Sequence, residues 1–256
     1  MRVLPLSAVV LLSGCGSAAE QPAVAAPTAA ASEAMAAITH GAAPEAAARP
    51  DPAQCPKLKR DDENGLLERK KPLPVPKALA AVAATDMNQL AVTTLDGKTG
   101  CVDVRWMEMV DGMALSKDKR FLSFGWDGYE AYGHVIVDRQ AGGQSLDTGE
   151  APVWSGSGQR LAAVDLSESA FGALNGFGVW DVTPQGFKQL ALVTDALPSG
   201  DWRSEGWRGE RCVALSLLPS ERMPEDAMAV DKAPRDPWFA SESKQWNPQA
   251  GSCPKA

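Results

Sequence analysis

The sequence predicts an all-β fold, a stack of about four antiparallel meanders behind a disordered linker, with a β-sandwich as the alternative. Three observations carry this. Two stretches, 114–148 and 154–194, follow one plan of turn, strand, loop, strand, turn and third strand. Weaker echoes flank them at 85–92 and 207–215, at the uneven spacing of roughly 30–50 residues seen between blades of stacked β repeats. The first fifty residues have no aromatic side chain and no apolar periodicity.

Arg2 is the first charge, and Val3 to Leu12 is almost continuously apolar. A run of about ten apolar residues fits the core of a secretory signal and is too short to span a bilayer as a helix. It ends in Leu12-Ser13-Gly14-Cys15, which resembles the lipobox of bacterial lipoproteins. The resemblance implies removal of residues 1–14 and a diacylglycerol on the Cys15 thiol. Acyl chains contribute roughly 0.8 kcal/mol per buried methylene, enough for a durable membrane anchor when two or three are attached. Gly16 follows, where an aspartate in that family signals inner-membrane retention, so the implied location is the outer membrane facing the periplasm. The competing readings are an ordinary signal peptide cut near Ala18 or Ala19, and an uncleaved anchor.

Residues 15–52 are mostly Ala, Pro, Ser, Thr, Gly and Glu. Such a composition buries too little surface to offset the entropy of ordering, so a flexible tether is expected. A coil of that length reaches about 30–35 Å on average.

Residues 53–218 form the predicted β domain. Net charge is −7 and no basic stripe runs through the chain, so no nucleic-acid partner is expected. Four cysteines lie in the folded part and in the tail behind it: Cys55, Cys101, Cys212 and Cys253. In an exported chain an even number reads as two disulfides. Zinc is not expected, because there is no CxxC pair and His134 is the domain's one histidine. Three connectivities exist. Cys55–Cys101 with Cys212–Cys253 pins each terminal arm to a strand. The nested Cys55–Cys253 with Cys101–Cys212 remains open.

The two strong units begin Ser116-Lys117-Asp118-Lys119-Arg120-Phe121-Leu122 and Ser155-Gly156-Ser157-Gly158-Gln159-Arg160-Leu161. Both resemble the Ser-Pro-Asp-Gly-Lys-Arg-Leu unit of TolB-like and WD40-like β-propeller blades. Both lack the proline, and only the second has the glycine, at Gly158. The resemblance spans about 85–218 and implies a propeller-like stack, in which each meander has an apolar face that only a neighbour can cover. Residues 219–256, rich in Pro with Trp238, Phe239 and Trp246, read as an arm packed on the domain and clasped by Cys253.

Equivalent loops of stacked repeats emerge on one face. The loop holding Trp126, Asp127, Tyr129, Glu130 and Tyr132 is therefore expected to meet the loop holding Asp165 and Glu168. Acidic and aromatic side chains together suit a protein or cell-wall ligand. If Glu130 and Glu168 stood about 5–10 Å apart, they would suit glycan hydrolysis, which is the alternative. No GxSxG elbow, Walker motif, HExxH or GxGxxG occurs, Gly172, Gly176 and Gly178 having the wrong spacing for the last. No catalysis and no cofactor are expected. Arg203, Arg208 and Arg211 alternate with Trp202 and Trp207, which reads as a surface ladder of stacked side chains.

The lipobox generates one prediction. Mass spectrometry of the mature protein should find a fatty-acylated Cys15 as first residue, and Cys15→Ser should release the chain from membranes. An intact Met1, or an unacylated start beyond residue 15, would refute the anchor.

Overall fold

The computed structural model describes residues 49–58, 70–166, 172–195 and 197–255. The expected lipidation site Cys15 and nearly all of the tether lie outside them. Among the described residues no helix is long and apolar enough to cross a membrane.

Four antiparallel sheets follow one another along the chain. The first holds β1 (Ala83–Thr85), β2 (Gln89–Thr93) and β3 (Thr99–Asp103). The second holds β4 (Met109–Leu115), β5 (Phe121–Asp127), β6 (Tyr132–Asp138) and β7 (Gln144–Asp147). The third holds β8 (Val153–Trp154), β9 (Arg160–Asp165), β10 (Gly176–Thr183) and β11 (Gly186–Val193). The fourth holds β12 (Gly200–Trp207), β13 (Cys212–Pro219), β14 (Asp236–Ser241) and β15 (Gln249–Ala250). Within each sheet strand order equals chain order, as in a meander.

Local chemistry explains the matching turns. In the second sheet Ser116 Oγ donates to Asp118 Oδ1 (2.5 Å), which also accepts from the Arg120 N–H (3.1 Å). Lys119 then takes a left-handed conformation, φ 61°. In the third sheet Gly158 holds the same place at φ 70° without the side-chain cost. The missing glycine of the first unit is thus a strained Lys119, not a different turn.

Packing runs in series. Leu90, Val92 and Val102 of the first sheet meet Leu122, Phe124, Val135 and Val137 of the second. Ile136 of the second sheet points the other way, to Leu161, Ala163 and Trp180 of the third. Ala162, Val164, Phe177 and Val179 turn to Trp202, Val213, Leu215 and Leu217 of the fourth. The inner sheets are therefore apolar on both faces, which is why Val135-Ile136-Val137 and Leu161-Ala162-Ala163-Val164 are continuous runs. This serial burial is the propeller-like arrangement. Among the described residues no core cluster joins the fourth sheet back to the first.

The end sheets each have one face without a neighbouring sheet. On the first, Gln89, Ala91 and Thr93 are nonetheless buried. The segment 51–56 covers them: Gln89 Nε2 donates to the Pro56 carbonyl (3.0 Å), and Thr99 Oγ1 to Gln54 Oε1 (2.8 Å). A disulfide joins Cys55 to Cys101 there, and another joins Cys212 to Cys253 on the fourth sheet. The first sheet has three strands where the others have four; Leu73 and Val75, set between Pro72, Pro74 and Pro76, pack into its core instead. Alternate prolines keep that segment from donating to a ladder.

Three expectations change. The tail is more than an arm, because β14 pairs with β13 from Asp236 to Ser241. Pro237 is tolerated near the strand's start. Trp202 and Trp207 do not carry the neighbouring arginines. They face inward, edge-on to Trp238 (5.0 Å) and Trp246 (5.8 Å), while Arg203 pairs with Asp201 and Asp231, and Arg211 with Glu242. The first strand of each later meander, β4, β8 and β12, was not singled out by the motifs, which begin one turn downstream.

The disulfides close stretches separated by 46 and 41 residues, worth about 4 kcal/mol each in the chain-entropy model. Cys212→Ser with Cys253→Ser should lower Tm by about 5–15 °C. Peptide mapping without reductant should recover the 55–101 and 212–253 linkages and no nested pair.

Candidate functional site

The seam between the second and third sheets has the smallest core, with Ile136, Leu161, Ala163, Leu174 and Trp180 fully buried in it. Polar groups occupy the rest. One contact joins the strands that flank the two candidate loops: the Tyr132 hydroxyl donates to Asp165 Oδ1 at 2.7 Å. Tyr132 ends its loop as the first residue of β6, and Asp165 ends β9, so the stacking of the two sheets brings them together.

Asp165 is 5% exposed, and its Oδ2 has no hydrogen-bond partner among the described residues. Gly149 leaves room for that oxygen. A Cβ there would lie 2.4 Å from Oδ2, and the backbone is at φ 68°. Beside it Asp147 accepts from the Trp126 indole (2.7 Å) and the His134 N–H (3.0 Å). Gly133 is required as well, since a Cβ would lie 2.4 Å from both Asp147 Oδ1 and the Trp126 Nε1.

A pocket of about 410 Å³ opens over this cluster, lined by Asp111, Trp126, Asp127, Tyr132, His134 and Glu150 among others, and by no Lys or Arg. Burial pushes the carboxyls of Asp147, Glu150 and Asp165 above their ordinary values. Hydrogen bonds to Asp147, and the Tyr132 hydroxyl on Asp165, oppose that rise. The negative charge of Asp165 adds to it at Asp147 and Glu150. Burial likewise lowers the His134 imidazole, against the attraction of Asp111. Among the described residues no group of three His, Cys, Asp or Glu is placed to hold a metal.

Of the residues singled out by sequence, Trp126, Asp127 and Tyr132 line the pocket and Asp165 stands behind Tyr132. Tyr129 is 72% exposed and, with Glu130 (φ 54°), sits on the loop outside the lining. Glu168 lies outside the described residues, so the Glu130/Glu168 pairing has no geometry here. Sequence reasoning passed over Asp111, Asp147, Gly149 and Glu150, and weighed His134 as a metal ligand. The one available signal was Asp147-Thr148-Gly149-Glu150, an acidic turn at the place where Thr194-Asp195 ends the next meander.

Fold and site together define a disulfide-pinned, all-β stack of four meanders with an acid-lined pocket in its central seam. No family model matches the chain, and no curated protein matches it by sequence. Among solved structures, TolB from Acinetobacter baumannii is similar at 10% identity and a TM-score of 0.29, covering 63% of this chain and 37% of that one. A likeness at that level leaves the fold to rest on the sheets themselves.

The buried acids set a pH dependence. A carboxyl raised above its unfolded value, 3.8 for aspartate, contributes its full stability below that value and loses it as pH rises through the folded value. His134 works oppositely, losing stability as pH falls below 6.5. Asp165→Asn removes one buried charge while keeping an acceptor for Tyr132. It should raise Tm at pH 7.5 and flatten the gain on acidification towards pH 5. Tyr132→Phe should cost about 1.5–3 kcal/mol at pH 7.5. Thermal melts across pH check both, and an Asp165→Asn protein melting as low as Tyr132→Phe would contradict the cost of the buried charge.

Proposed function

We propose that this chain is a lipid-anchored binding module of the bacterial envelope, held to a membrane through Cys15 and presenting the acid-lined pocket to a protein or to cell-wall material. The two disulfides support an oxidising, exported setting. The observation that carries the binding reading is the pocket lining, where Asp111, Asp127 and Glu150 stand with no Lys or Arg among the described lining residues, Arg203 acting on Glu150 from outside the lining. Such a lining favours a ligand group that is positively charged, a basic side chain of a partner or an amine on wall material. The aromatic side chains of Trp126 and Tyr132 provide flat walls beside those charges.

Full-length protein should be recovered with its ligand from crosslinked envelopes or should sediment with isolated wall material. That association should weaken as salt rises. Asp111→Asn with Glu150→Gln should reduce it about tenfold or more. Tyr129→Ala, outside the pocket lining, should leave it unchanged. Association that is indifferent to salt and to the double variant would overturn the reading.

A further inference from the structure

A second and larger cavity lies in the same seam. It holds about 790 Å³, within the range of small-molecule sites. Its floor is the face of the second sheet that turns towards the third: Ala114, Ser123, His134 and Ile136. Its far wall is Ala151, Pro152, Trp154, Gln159 and Val182. Two features create the space. The floor residues beside Ile136 are small, and β8 has two residues where β4 has seven, so the third sheet does not reach across.

The chemistry of the lining is selective. Trp154 is 37% exposed at the mouth, and its ring centroid lies 5.0 Å from that of Phe121. The charged groups nearby are already committed. Arg120 pairs with Asp138 through Nε–Oδ1 (3.0 Å) and Nη2–Oδ2 (2.6 Å), donates to the Thr183 carbonyl, and covers the Phe121 ring. Asp118 is held by Ser116 and the Arg120 N–H, and Glu210 by the Ser157 hydroxyl (2.8 Å) and N–H (2.9 Å). The groups left without a hydrogen-bond partner among the described residues are Ser123 Oγ, the Gln159 amide, the Trp154 indole N–H and the His134 ring.

An anion entering this cavity would find no uncommitted cation among the described residues, and the one lining carboxylate, the exposed Asp118, already accepts from Ser116 and the Arg120 N–H. A purely apolar ligand would strand four hydrogen-bonding groups. A ligand with one apolar face and several uncharged hydroxyl or amide groups matches every part of the lining. We propose that the cavity between β4–β6 and Trp154–Gln159 is a binding site for a neutral saccharide. The C–H face of a pyranose ring lies on the Trp154 indole, and its hydroxyl or N-acetyl groups bond Ser123, Gln159 and His134. The site is separate from the acid-lined pocket, although His134 and Ala151 border both.

The test titrates full-length protein with three probes: an N-acetylglucosamine trimer, a glucose trimer and a uronic acid trimer. Tryptophan fluorescence and saturation-transfer NMR read the binding. At least one neutral trimer should bind, and the charged one should bind more weakly. Trp154→Ala should weaken binding about tenfold or more, and Gln159→Ala, an exposed side chain outside the core, about fivefold. Circular dichroism confirms that both remain folded. Tyr129→Ala, outside the lining of both cavities, should bind the neutral sugar as wild type does. The proposal is overturned if no neutral trimer binds, if the uronic acid trimer binds tightest, or if the Trp154 and Gln159 variants both bind as wild type.

Discussion

An antiparallel meander of three or four strands cannot exclude water from its own apolar face, and everything else in this structure follows from that. Each sheet needs a neighbour. The second and third sheets bury both faces, so their central strands alternate direction without alternating polarity: Val135 and Val137 face one core and Ile136 the other. The end sheets have only one neighbour each. On the first, the N-terminal segment and the Cys55–Cys101 bond cover the spare face. On the fourth, the chain's own tail returns as β14 and β15 and is clasped by Cys212–Cys253. Each disulfide thus ties a terminal segment to one of the two end sheets.

The central seam is the weak interface of the stack, and it is where polar chemistry collects. The short β8 and the small residues Ala114, Ser123 and Gly125 hold the sheets apart on one side. Tyr132, Asp147 and Asp165 fill the rest with hydrogen bonds, one of whose carboxylate oxygens finds no partner. A buried carboxylate left half-satisfied costs stability relative to an apolar filling. Its presence in a seam that could have been closed with valines is the feature that marks the region as more than packing.

Two cavities of opposite character share one wall there. One is lined by carboxylates with no Lys or Arg among its described lining residues; the other has its guanidinium paired with Asp138 and leaves neutral hydrogen-bonding groups beside an exposed indole. His134 stands between them, half-buried, lowered by its burial and attracted by Asp111. Its position at the border comes from the sheet pairing that sets it opposite Gly125, over which the Asp111 carboxylate sits.

How much could be read from the chain itself depended on how local the cause was. The turns at Ser116–Arg120 and Ser155–Arg160, the strands that follow them and the all-β class were legible, because period-two alternation and turn residues act within a few positions. The choice among three disulfide connectivities, the conversion of a proline-rich tail into β14, and the assembly of Asp111, Asp147 and Glu150 into one pocket were decided by tertiary structure. Those residues come from different strands and turns, and only the stacking of sheets, which no short window of sequence encodes, sets the distances between them.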